Sequence, residues 1–335
     1  MEDILIDDVT TVSKDVELQF YPLPVEVVRK KKKRKKTKKR PDIESLRGIG
    51  VFAVILGNFR PQIFPNGFAG VELFYVISGY LASVSSNNSK EKLQIFYYSR
   101  LKRVLPLYFL SILLILIVMG FLTPNKDFGR NISGGTRAIL FVSNFENDAE
   151  SSLNLFSHLL PISTGFQTLI IFPFVLIIVN LFPNKLHVYC HIFIGIASLV
   201  FNFFIRDFSV FSQFWKFSAG VFAHHLQSDL GELEQNVFFY PFLLLFLPFL
   251  HLKHICLEIS AVAFAALLIQ INAGANFTLC KFFEFIGDIS YSWYLFHWPI
   301  VVYVNIYHGN TFYAPLIGIF ISFMIANIIS KNFER

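Results

Sequence analysis

From Arg47 to the last residues, apolar stretches of membrane-spanning character follow one another with only short polar connectors between them. Such a chain has few ways to fold. In hydrocarbon every backbone N–H and C=O must find an internal partner, so segments of this kind cross as helices. Spans are expected near 47–64, 67–84, 103–123, 132–145, 157–182, 187–205, 211–227, 237–253, 255–271, 283–306 and 312–330. Several are shorter than the roughly 20 residues of a straight crossing, which leaves the count at ten or eleven. The fold class that follows is all-α, a polytopic membrane helical bundle. Composition agrees, with 54% hydrophobic residues, 16% charged residues and 41 phenylalanines, where soluble domains hold about 45–50% apolar and about 25% charged residues.

Ahead of the spans lies a polar tail, acidic at first and then strongly basic. Arg29 to Arg40, RKKKKRKKTKKR, holds eleven cations and no acid, so a chain of net charge +6 carries −5 outside that segment. A basic surface for nucleic acid is therefore not expected. Residues 1–40 cannot bury enough apolar area to offset the entropy of ordering and are expected to be a disordered tail, with 41–335 as the membrane domain. Its composition gives no signal peptide. The basic run and Lys90, Lys92, Arg100, Lys102 and Arg103 put the amino terminus and the connector after the second span on the cytoplasmic side. Anionic membrane lipids are the expected partner of the tail, at about 1 kcal/mol per cation near the surface, and a nuclear-localisation motif is the competing reading. With this orientation the sequons at Asn131 and Asn276 face the exterior or lumen and can be glycosylated, whereas Asn87 and Asn88 stay inside and unmodified. Cys190, Cys256 and Cys280 lack any metal-ligand or redox spacing and read as apolar filler.

The first span begins PDIESLR and carries Arg47 and Asn58, eleven residues apart. In a helix that separation is about three turns, roughly 16 Å along one face. It leads into Gly67-Phe68 and then Gly70-Val71-Glu72-Leu73-Phe74-Tyr75-Val76-Ile77-Ser78-Gly79-Tyr80-Leu81. Further on come Phe96-Tyr97-Tyr98-Ser99-Arg100-Leu101-Lys102-Arg103 ahead of Pro106 and Tyr108, His158 through Gln167 to Pro173, Gln213 through Gly220, and Gly287-Asp288-Ile289-Ser290-Tyr291-Ser292-Trp293-Tyr294-Leu295-Phe296-His297-Trp298-Pro299. Together these resemble the acyltransferase 3 family of integral-membrane O-acyltransferases, over essentially everything after residue 40. Within the resemblance the chain is divergent. Asn58 stands where the family has a histidine, Glu72 where an aspartate is usual, Leu160 for tryptophan, Gly165 for glutamate and Gln213 for arginine.

The resemblance implies an enzyme that transfers an acyl group from acyl-CoA, as co-substrate, to a hydroxyl of a carbohydrate or lipid acceptor, with no metal. It implies donor-holding roles for Arg47, Arg100 and Arg103, the last two being able to clamp phosphate bidentately from one helical face. Both arginines equally suit charges that hold a connector inside, and Arg47 suits a headgroup anchor. Glu72 costs roughly 2.5–3.5 kcal/mol within an apolar span, so it needs a polar partner, for which Arg47 or Arg103 is the expectation. Asn58 lines the expected reaction point, with His297 and His158 as the remaining catalytic candidates and Glu72, Gln167 and Tyr294 as substrate- or cofactor-binding ones. Acyl transfer to a hydroxyl needs a proton acceptor, and an asparagine amide does not titrate near neutrality. A catalytically inactive member that binds an acyl or lipid ligand, or steadies a partner protein, is the alternative the substitutions at Asn58, Gly165 and Gln213 favour. His297 also suits a purely helix-fixing hydrogen bond, and His224 and His225 read as interfacial.

Overall fold

A computed structural model describes residues 40–86, 90–122, 125–145, 154–205, 209–230, 254–271, 278–308, 311 and 313–334. The tail up to Lys39, the sequons at Asn87 and Asn276, and the expected span 237–253 lie outside the described residues. Every regular element among the described residues is helical: α1 (Pro41–Phe59), α2 (Ala69–Ser86), α3 (Lys90–Leu122), α4 (Asn125–Ile139), α5 (Leu160–Val179), α6 (His187–Ile205), α7 (Val210–Leu230), α8 (His254–Ile271), α9 (Thr278–Asp288), α10 (Ser290–His308) and α11 (Tyr313–Ile329). Among the described residues four stretches, Leu93–Phe121, Ser157–Val179, His187–Ile205 and Tyr313–Phe333, are long and apolar enough to cross a membrane. Their outward side chains, among them Leu113, Ile117, Phe174, Ile177, Phe193 and Phe320, are exposed large hydrophobics that only a lipid environment tolerates in such number. The chain is an integral membrane protein.

α1 and α2 form the centre of the bundle. Pro41 opens α1, where its missing N–H costs nothing, and Asp42 and Glu44 complement the helix dipole in the first turn. α1 packs on α9 and α2 on α7, and glycine permits both contacts. A Cβ on Gly48 would stand 2.0 Å from the Phe283 carbonyl, and one on Gly220 would stand 1.9 Å from that of Val76. Without a hydrophobic drive between helices in lipid, such backbone-to-backbone contact is what gives dispersion its reach. Arg40 ties the start of α1 to the bundle through the Tyr80 hydroxyl and the Ile269 carbonyl.

Three sequence expectations need correction. The stretch 132–145 is not a span: α4 has 15 residues, about 22 Å of helix where the hydrocarbon is about 30 Å thick. It carries Asp127, Arg130 and Arg137, and Phe141, at φ 56°, breaks the chain direction just after it. Asn131 is also no glycosylation site. It is 1% exposed, its amide donates to the Asp127 carbonyl at 3.1 Å, and its Oδ1 accepts from the Leu155 N–H at 2.9 Å. Finally, 283–306 is two helices, α9 and α10, which meet at Ile289.

Candidate functional site

The last turn of α1, the entry to α5 and the middle of α10 meet around His297, which is fully buried. Its Nδ1 lies 2.7 Å from the Tyr294 carbonyl and its Nε2 lies 2.9 Å from Asn58 Nδ2. A carbonyl can only accept, so Nδ1 carries the proton and Nε2 presents a lone pair. Asn58 must then donate to that lone pair. Asn58 thus caps His297.

His158 completes the cluster, with its ring 6.0 Å from that of His297 and stacked on Trp298 at 6.0 Å. Tyr294 donates to the backbone carbonyl of His158 at 2.8 Å, which locks the entry of α5 against α10. Asn58, His158, Tyr294 and His297 are therefore brought together from α1, the turn before α5, and α10. Sequence spacing placed Tyr294 and His297 one turn apart on one helix, and their backbone-to-ring bond is that relation made concrete.

The arginines gather three turns away toward the start of α1. Arg47 reaches Glu44 at 3.2 Å, and its Nε is buried with no hydrogen-bond partner. Arg100 donates to Ser78 Oγ at 2.7 Å and lies over the Phe96 ring at 5.6 Å. Arg47 and Arg103 are both electrostatic neighbours of Arg100. Arg47 from α1 and two arginines of α3 thus form a gathering of like charge, and like charges held close favour an anion between them.

Glu72 does not pair with Arg47 or Arg103, contrary to expectation. Its carboxylate is 2.6 Å from Lys216 Nζ, which also lies 3.5 Å from Glu258. Glu258 accepts from Asn202 at 3.3 Å and pairs with His254 at 3.2 Å. Lys216 is only 1% exposed, so this lattice stitches α2, α6, α7 and α8 through charges buried in the bundle. Lys216 went unnoticed in the sequence although the cost argument that singled out Glu72 applies equally to a lysine between Trp215 and Phe217.

Gln167 exchanges amide hydrogen bonds with Asn144 at 2.8 and 3.3 Å and donates to the Phe141 carbonyl at 2.6 Å. It thereby holds the chain reversal after α4. Gly165 faces open space, where an added Cβ would meet only Tyr75, at 3.9 Å. Among the described residues no group of three histidines, cysteines or carboxylates is placed to hold a metal ion.

Comparison with known proteins gives one family and several relatives. The family described as "Acyltransferase domain" matches residues 40–330. A Staphylococcus aureus (strain COL) protein that carries the provisional name O-acetyltransferase is 26% identical over 348 residues, covering 88% of this chain and 56% of its own. The O-acetyltransferase OatA of Staphylococcus aureus (strain NCTC 8325) is 23% identical over 351 residues, with the same two shares of 88% and 56%. The chain thus spans little more than half the length of these relatives. No solved structure matches it.

Proposed function

The chain belongs to the acyltransferase domain family, and from that premise we propose that it is a membrane O-acyltransferase, moving an acyl group from a coenzyme A thioester to a hydroxyl of a carbohydrate or lipid. The observation that carries this reading is the layout of α1. An arginine gathering lies near its start and a histidine cluster near its end, so one helix connects an anion-holding end to an end with groups that can move a proton. Arg47, Arg100 and Arg103 hold the phosphates of the donor by charge-assisted bonds. Asn58 has two amide hydrogens, of which one goes to His297, and the other is suited to the oxyanion of the tetrahedral intermediate. Glu72, Gln167 and Tyr294 act as supports, because Lys216, Asn144 and the His158 carbonyl engage their polar atoms.

The fold in this reading is a bundle of ten spans, since α4 does not cross, with a cytoplasmic amino terminus that brings the arginines to the side where coenzyme A thioesters reside. In this reading the cations of residues 29–39 are the ones suited to anionic lipid, whereas Arg40 is held by the bundle.

The test uses the full chain purified in detergent with radiolabelled acetyl-CoA and a panel of sugar and lipid alcohols. Label should pass to an alcohol, and Arg47→Ala should cut the rate by about tenfold to a hundredfold, the loss of one charge-assisted bond. A chain that transfers only after Asn58→His would be a silent family member.

A further inference from the structure

Two buried polar atoms on residues that Trp298 touches are left without a partner, and they are complementary. His158 Nε2 lies 3.2 Å from the Leu295 carbonyl, so that nitrogen carries the ring proton and Nδ1 presents the lone pair. That Nδ1 is buried without a hydrogen-bond partner, in a residue 7% exposed. Asn154 is fully buried, and its Oδ1 accepts from the Phe156 N–H at 2.9 Å while its Nδ2 has no partner. Trp298 touches both residues, stacking on the His158 ring and donating to the Asn154 carbonyl at 2.9 Å. One residue therefore offers an unused acceptor and the other an unused donor. Leaving a buried polar group unpaired costs about 1–3 kcal/mol, so a pair of them asks for a ligand group that both donates and accepts. A hydroxyl is such a group, and a carboxylate or phosphate is not.

Building on the acyltransferase reading, we infer that His158 and Asn154 form the acceptor-hydroxyl subsite, with His158 Nδ1 as the proton acceptor of the reaction. Asn154 Nδ2 donates to the incoming hydroxyl oxygen, and the hydroxyl donates to His158 Nδ1. As the oxygen attacks the thioester carbonyl carbon, the C–O bond forms and the hydroxyl proton passes to Nδ1. The imidazolium keeps its Nε2–H on the Leu295 carbonyl. Collapse of the tetrahedral intermediate breaks the C–S bond, and His158 returns the proton to the leaving sulfur as a free thiol. His297 does not compete for the proton, because Asn58 already donates to its lone pair. The absence of a histidine at position 58 is thus answered by a histidine from the turn before α5.

The experiment measures thiol release from acetyl-CoA by the full chain in detergent, with water as the smallest hydroxyl acceptor. His158→Gln places an amide donor near the Leu295 carbonyl, and His158→Asn places an amide near the Nδ1 position. Neither amide can take up a proton. Both variants should lower kcat by roughly 10²–10⁴-fold with KM for acetyl-CoA within about twofold of the parent. Asn154→Asp keeps the acceptor for the Phe156 N–H and removes the donor, and should lower the rate by about tenfold or more. A folded His158 variant with near-parental kcat overturns the subsite while leaving the acyltransferase reading intact, provided that Arg47→Ala still loses activity. A parent chain that releases no thiol and acylates no alcohol overturns both.

Discussion

The Lys216 lattice and the His158–His297 cluster are both polar islands within apolar helices, and they differ in what they leave open. In the lattice the cation lies between two carboxylates, and the outer carboxylate is held further by Asn202 and His254. In the cluster Asn58 and Tyr294 fix the two histidines, yet one ring nitrogen and one amide remain unpaired. An island whose charges answer one another holds helices in register. An island with an open donor and an open acceptor has polar atoms left for a substrate group to satisfy.

The sharpest way to break this contrast is Lys216→Met, which leaves Glu72 and Glu258 buried without their shared cation. Removing one partner of a buried pair costs about 3–5 kcal/mol, so the melting temperature in detergent should fall steeply, together with activity. His158→Gln should do the opposite, losing turnover while the melt stays in place. A Lys216→Met protein that melts like the parent but has lost transfer would move the lattice into the reaction and erase the distinction.

Asn58→Leu tests the contrast within the cluster itself. It removes the donor to His297 Nε2 and leaves a buried ring nitrogen unpaired, for a cost of about 1–3 kcal/mol. Stability should drop by that amount, and the freed histidine should lose its fixed orientation. Chemical denaturation monitored through the buried Trp293 is one measurement that reads the first effect. No change in stability would mean that Asn58 and His297 do not depend on each other.

Much of this site was legible in the sequence, because the motifs lie on helices whose spacing fixes which residues share a face. Arg47 and Asn58 on α1, and Tyr294 and His297 on α10, stand in the relations their numbering predicts. What could not be read was which helices meet. The partner of Glu72 is on α7, and nothing in the local sequence of α2 indicates that Gly79 and Gly220 bring those two backbones into contact. α4 was misread because Ile132, Ala138, Ile139 and Leu140 fill a hydropathy window, while Asp127, Arg130 and Arg137 make the helix polar along much of its surface. The open atoms of His158 and Asn154 were invisible for a simpler reason. Whether a polar group is satisfied depends on its neighbours in space, and those come from α10 and from the turn before α5.

The smallest predicted effect has the opposite sign and concerns Gly165. Gly220 and Gly165 both lie within helices, but a Cβ at Gly220 would run into the Val76 carbonyl, whereas one at Gly165 would find only the edge of Tyr75, at 3.9 Å. Gly165→Ala therefore trades a flexible residue for the best helix former without a clash. It should stabilise α5 by about 0.5–1 kcal/mol and raise the melting temperature slightly. Because α5 also carries the entry at His158, the substitution tests whether the space beside Tyr75 is merely unfilled or is needed by the substrate. Higher stability with unchanged thiol release means that the space is idle packing volume. Higher stability with a raised KM for the alcohol means that the acceptor extends past Tyr75 into the space beside Gly165.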